Sequence, residues 1–279
     1  MSIITNGKTD NDGHGAASRA SAHPTLVAFG GIDYGKFSTD NRASASFINR
    51  RLHAERGEFS VLPHTGPEAS AVAKLYRKLS GQTTKAWYYG TDASEGRLKT
   101  LLSPAGKPPR VLHLATHGFF LEHKSSETER PMTLSGLALA GANRGMSGEP
   151  GPDGEDGVLY ALEVQSLNLQ GTELVVLSAC DTGIGEIDLS DGVYALTRAF
   201  RIAGARNVLM TLWPLNDALA KEFMQDFYCN WLGGEKRERC DGKLLPMAEA
   251  LRQTRLAWIG SDDERRRDPR YWAPYVLVE

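Results

Sequence analysis

Two apolar runs constrain this chain more than any other feature. Residues 111–120, VLHLATHGFF, lead into His117 and then Gly118. Residues 174–185, LVVLSACDTGIG, lead into Cys180 and then Asp181, Thr182 and Gly183. Each reads as a buried strand that stops at a reactive side chain followed by small residues. Open parallel sheets carry their active groups beyond the carboxyl ends of their strands. A strand ending at an imidazole, paired with a strand ending at a thiol, is how an α/β sheet assembles a Cys/His dyad.

The rest of the chain alternates in the same way. LVAFGGIDYG (26–35) reads as a first buried strand ending in glycines, and 36–60 as loop or edge structure. Gly66-Pro67 opens a helix whose Val72, Leu75, Tyr76 and Leu79 share one face. KAWYYG (85–90) is a short strand, and Asp92 a cap for a second helix with Leu98, Leu101 and Leu102 inward. Pro108-Pro109 precedes strand 110–116. Residues 122–157 are polar and rich in Gly and Pro around a short apolar SGLALAGA, and read as a mobile regulatory loop. Strand 173–179 follows, then a helix capped by Ser190 or Asp191, strand 207–213, a helix capped by Asn216, and a last helix over 246–259. Strands alternating with helices predict an α/β fold, a mostly parallel sheet with helices on both faces. Residues 1–24 lack periodicity and read as a disordered tail; 25–279 form one domain.

Composition excludes several classes. The net charge is −2 over 279 residues, so no basic field offers itself to nucleic acid. No apolar run approaches the roughly 18 residues that span a bilayer. The first residues, MSIITNGKTDNDGHG, carry no apolar secretory core. Three cysteines without framework spacing point to a reducing cytoplasm. The glycines of GGIDYG do not form a dinucleotide fingerprint, and no cysteine or histidine spacing suggests a metal site. No cofactor is implied.

Cysteine attacks as thiolate, and an ordinary thiol with a pKa near 8.5 is mostly protonated at neutral pH. An adjacent imidazole can take that proton and later deliver it to a leaving amine. His117 precedes Cys180 by about 60 residues, the order found in caspases, where the gap is about 50. Gly118 has no Cβ, so its N–H and that of Cys180 are candidates for an oxyanion hole. Candidate substrate contacts beyond the strand ends are Asp33, Ser178, Asp181, Trp213 and Asp217. Asp33 equally suits a turn, Trp213 packing, and Asp217 a helix terminus. His113, deeper in its strand and on the same face as His117 by period two, reads as a hydrogen-bonded core histidine.

Several long segments taken together resemble the CHAT domain, a caspase-like cysteine peptidase domain often found with tetratricopeptide repeats. They are FGGIDYG, LPHTGPEA, VLHLATHGFF, SGLALAGAN, GVLYALEV, LNLQGTELVVLSACDTGIGE, DGVYALTRAFRIAGARNVLMTLWPLND and YWAPYVLVE, in family order across 26–279. The resemblance implies a caspase–hemoglobinase fold, with His117 matching the catalytic His, Cys180 the nucleophile, and Gly118 the oxyanion glycine. It implies site-specific cleavage of a protein partner in bacterial defence or regulated cell death. A neighbouring-gene product such as a gasdermin would be the substrate and a separate sensor protein the activator, with no nucleic acid or membrane partner. The alternative is a non-catalytic caspase-like binding or adaptor module. Relatives that cut after basic residues often carry an acid two positions before the nucleophile; here that residue is Ser178. The upstream repeats are absent from this sequence. That fits a stand-alone peptidase, an excised domain, or a subunit with its sensor on another chain.

Overall fold

The computed structural model describes residues 26–80, 87–121, 131–178, 189–213, 215, 217–233 and 241–279. The segment read as a tail lies outside the described residues, as do Cys180, Asp181 and the proposed cap Asn216.

The chain opens with β1 (Leu26–Ile32), α1 (Phe47–Arg56), α2 (Thr65–Ser80), β2 (Trp87–Gly90), α3 (Glu95–Leu101) and β3 (Val111–Ala115). Next come β4 (Gly118–Phe120), β5 (Ser135–Ala138), α4 (Ala142–Met146), β6 (Val158–Tyr160), α5 (Ala161–Val164) and β7 (Leu174–Ser178). It closes with α6 (Leu189–Ile202), β8 (Val208–Thr211), α7 (Asp217–Leu232), α8 (Met247–Ile259), α9 (Glu264–Arg267) and β9 (Tyr275–Val278).

The main sheet has the order β2-β1-β3-β7-β8-β9. Its pairs are parallel except the last, where β9 returns antiparallel to β8. This is the mostly parallel α/β sheet expected. Alternate residues of each central strand serve different layers. Phe29, Leu112, Leu114 and Leu177 pack with Leu98 of α3 and with Leu196 and Phe200 of α6. Leu26, Val111, Val176 and Leu209 pack with Val72 and Tyr76 of α2, Phe223 and Phe227 of α7, and Trp258 of α8. Each such side chain contributes about 1.5–3 kcal/mol by leaving water. A net hydrogen bond contributes about 1 kcal/mol. The two apolar layers therefore dominate in holding strand register.

Five local expectations are corrected. First, the segment 36–60 contains a helix, α1, capped by Ser46, whose side chain accepts from the Asn49 amide at 3.1 Å. Its buried face holds Asn49 and Arg51 beside Leu52, so no apolar stripe advertised it. Second, α3 is capped by Ser94 rather than Asp92, through a hydrogen bond from the Arg97 amide at 3.3 Å. Third, α6 starts at Leu189, which puts Ser190 and Asp191 inside its first turn.

Fourth, residues 131–157 are folded, not a mobile loop. β4, β5 and β6 form a small antiparallel sheet. The turn between α4 and β6 is tied down by Gly157 N–H to Glu95 at 2.9 Å and Asn49 Nδ2 to Asp156 at 2.8 Å. Residues 122–130 lie outside the described residues. Fifth, Cys229, buried on α7, is disulfide-bonded, with its partner outside the described residues. The three cysteines are thus not all free thiols. Among the described residues, no helix is long and apolar enough to cross a membrane.

Candidate active site

In the main sheet the chain moves from β1 outward to β2, then back across β1 to β3. Folds of this kind place ligands beyond the carboxyl ends of the strands that flank such a reversal, here β1 and β3. Two glycines let α2 begin against the end of β1. A Cβ on Gly30 would stand 2.3 Å from the Thr65 carbonyl oxygen, and Gly31 donates to Thr65 Oγ1 at 2.9 Å.

Tyr34, just past β1, is buried, and its hydroxyl pairs with Thr116 Oγ1 at 3.0 Å. Thr116 in turn donates to the Ala138 carbonyl. These contacts set the bend by which the chain leaves β3 and delivers His117. The imidazole is 1% exposed and lies against the Tyr34 and Phe59 rings, with centroids 5.1 and 5.5 Å away.

Both ring nitrogens are engaged. Nε2 lies 2.7 Å from the Ser60 carbonyl oxygen, and Nδ1 lies 3.1 Å from Arg56 Nη2. A carbonyl oxygen only accepts and a guanidinium only donates. Nε2 therefore carries the proton and gives it to Ser60, while Nδ1 presents its lone pair to Arg56. Nδ1 is then the accepting nitrogen of the ring. Arg56 also stacks over Phe59, 4.2 Å from the ring centroid.

The short stretch from Arg56 to Ser60 thus surrounds the imidazole. Asn143 of α4 holds that stretch in place. Its Oδ1 accepts from the Phe59 amide at 2.8 Å, and its Nδ2 donates to the carbonyls of Phe59 at 3.0 Å and Gly35 at 2.9 Å. None of Arg56, Phe59, Ser60 or Asn143 was nominated from sequence. Ser60 acts through a backbone carbonyl, which no side-chain pattern marks. The segment SGLALAGAN ended on Asn143, the one available pointer.

Gly118 is the first residue of β4, opposite Leu137, directly after His117. Asp33 is exposed, and its Oδ1 accepts from the Gly35 amide at 3.0 Å, an Asx turn that carries the turn role considered for it. Trp213 is half-buried and donates from Nε1 to the Arg270 carbonyl at 3.0 Å, which ties it to the C-terminal segment. Asp217 is the first residue of α7.

Ser178 ends β7 beside Ala115 and donates to Glu68 Oε2 at 3.3 Å. Glu68, buried on α2, also holds His113 Nε2 at 3.0 Å, while the Tyr228 hydroxyl lies 3.4 Å from Nδ1. Burial pushes the Tyr228 phenol well up, with Tyr76 and Glu68 adding. His113 is therefore a hydrogen-bonded core histidine. It does not share a face with His117, however. The bend after Ala115 turns His117 toward Tyr34, while His113 faces α2 and α7. Among the described residues, no cluster of His, Cys, Asp and Glu is arranged to hold a metal ion.

A family model described as the CHAT domain matches residues 13–279. This chain belongs to the CHAT domain family. CHAT domains are caspase-like, within the superfamily of caspase-like cysteine peptidases. Similar proteins include tetratricopeptide repeat protein 28 of Mus musculus, 38% identical over 93 residues, and that of Homo sapiens, 36% identical over 121 residues. These stretches cover 33% and 43% of this chain. The chain spans only about 4% of the length of either relative.

Proposed function

We propose that this CHAT domain is a site-specific cysteine endopeptidase, with Cys180 as nucleophile and His117 as general base and acid. The observation that carries the reading is the 2.7 Å contact between His117 Nε2 and the Ser60 carbonyl oxygen. With Nε2–H given to the Ser60 carbonyl, Nδ1 is the one ring position able to accept a proton. β7 runs beside β3 and ends at Ser178, two residues before Cys180, which brings the thiol's strand to the imidazole's.

In this mechanism the Cys180 thiol passes its proton to Nδ1 and attacks the scissile carbonyl. The Ser60 carbonyl stabilises the imidazolium through the Nε2–H. The amides of Gly118 and Cys180 receive the developing oxyanion. His117 then protonates the leaving amine, and water releases the acyl-enzyme. The substrate is a protein partner rather than bulk peptide. By family resemblance we place the activity in bacterial defence or regulated cell death, on a neighbouring-gene product such as a gasdermin, under a separate sensor.

One observation favours a second reading. Arg56 occupies the Nδ1 lone pair, as it would in a module that holds a partner without cleaving it. Purified wild type, Cys180→Ala and His117→Ala, incubated with candidate protein substrates, separate the two. The peptidase reading expects turnover by wild type alone, with all three chains folded. Turnover retained by Cys180→Ala contradicts it.

A further inference from the structure

We propose that residues 149–157 form a strap held to the body by charge rather than by apolar burial, with Lys99 as its latch, and that the strap in turn seats α1 through Asn49.

The strap, which joins α4 to β6, buries no apolar side chain. Pro150 and Pro152 are exposed, and Glu149, Glu155 and Asp156 are half-buried. Each polar side-chain contact from the strap to the rest of the chain is made by a carboxylate. Glu149 meets Arg144 at 3.5 Å and Asn41 at 3.4 Å. Asp153 accepts from the Gly96 amide, in the first turn of α3, at 2.6 Å. Glu155 meets Lys99 Nζ at 3.0 Å, and Asp156 accepts from Asn49 Nδ2 at 2.8 Å.

Of these partners, Lys99 is the cation that the body itself holds in place. Its ammonium also touches Glu95 of α3 at 2.7 Å and Glu163 of α5 at 2.9 Å. Its position is thus set without the strap, and little side-chain entropy is lost when Glu155 joins it. Arg144 is more exposed and its contact is longer, which puts it among the weak surface pairs. Glu155 and Glu163 meet on the one Lys99 nitrogen. Without that cation the two carboxylates face each other as like charges, and the strap is pushed from the body.

The other end of the strap supports α1. Asn49 is buried; its Oδ1 accepts from the Tyr160 hydroxyl at 2.7 Å, and its Nδ2 donates to Asp156. Its remaining contact, to the Gly145 carbonyl, is long at 3.5 Å. The buried side chains of α1 are Asn49, Arg51 and Leu52, of which Leu52 alone is apolar. Loss of Asp156 therefore removes the short acceptor of a buried amide from a helix with little apolar anchorage. Strap and α1 open as one unit. α1 ends at Arg56, which meets His117, so the latch sets how firmly one wall of the candidate site is held. That consequence alone rests on the reading of His117 as the base.

The test is amide hydrogen exchange of the full chain at pH 7, read by mass spectrometry on peptides from 148–157, from α1 and from α7 as the reference. Lys99→Met should speed exchange in 148–157 by about fivefold, and α1 should follow by a similar factor. α7 should exchange as in wild type. Lys99→Arg keeps the charge and should stay within about twofold of wild type. Glu155→Gln removes only the strap's side of the ion pair. It should give the same pattern at about threefold, and serves if Lys99→Met does not fold.

Unchanged exchange at 148–157 in the folded variants overturns the latch. So does equal opening in Lys99→Arg and Lys99→Met, which would make shape rather than charge the cause, or acceleration that extends to α7. A faster strap over an unchanged α1 overturns the seating through Asn49. None of these readouts involves Cys180, and turnover by wild type against Cys180→Ala decides the dyad separately.

Discussion

His117 donates from Nε2 to the backbone carbonyl of Ser60 at 2.7 Å, and Asn143 holds the residue before Ser60 by both of its backbone groups. The orientation of the base is thus set at one remove, by an amide 26 residues further along the chain (143 − 117). Asn143→Ala should strip three hydrogen bonds from backbone groups, two of them on buried Phe59. Each is worth about 1 kcal/mol net, and more where a group is left unpaired. We expect a loss of about 2–4 kcal/mol in urea unfolding. Turnover should fall through kcat rather than KM, since the base is misaligned while the substrate contacts remain.

The Glu68–His113 pair lies on the opposite face of the sheet from that base. Glu68→Ala leaves His113 and the Ser178 hydroxyl without their acceptor in a buried layer, at a cost of about 1–3 kcal/mol. Glu68→Gln keeps a carbonyl acceptor and should lose less than half as much. Equal losses in chemical denaturation would show that shape, not hydrogen bonding, is what Glu68 supplies.

Glu95 gives the fold a pH dependence of definite sign. Burial pushes its carboxyl from the ordinary 4.5 up to about 8, against the hydrogen bond from Lys99 and with Asp156 and Glu163 adding. Between those values the folded chain keeps a proton that the unfolded chain has released. Stability therefore falls as pH rises across that window. The contribution is complete below about 4.5 and gone above about 8. Glu95→Gln stays neutral throughout. Relative to wild type it should be more stable at pH 8 than at pH 5, by about 1–3 kcal/mol. Parallel stability curves for the two chains would contradict this.

The strands that carry the site were legible because parallel strands covered on both faces read as continuous apolar runs, as at 111–115 and 174–178. α1 was not, because its buried face is built from Asn49 and Arg51 rather than from a stripe of apolar residues. The small sheet β4-β5-β6 was hidden by strands of three or four residues set among glycines and polar residues. His117 and Gly118 could be nominated because reactive groups fall where strands stop. Arg56 and Ser60 could not, since one comes from the end of an unmarked helix and the other acts through its backbone. The period-two argument failed for His113 and His117 because it assumes an unbroken strand, and β3 ends at Ala115.

The most direct measurement of the central claim is N-terminal peptide profiling of a host proteome after expression of the wild type or of Cys180→Ala, with any activating partner supplied by that host. The account predicts new protein N-termini with wild type alone, sharing one residue preference before the cut and vanishing with His117→Ala as well. The same new termini from the Cys180→Ala chain would contradict it.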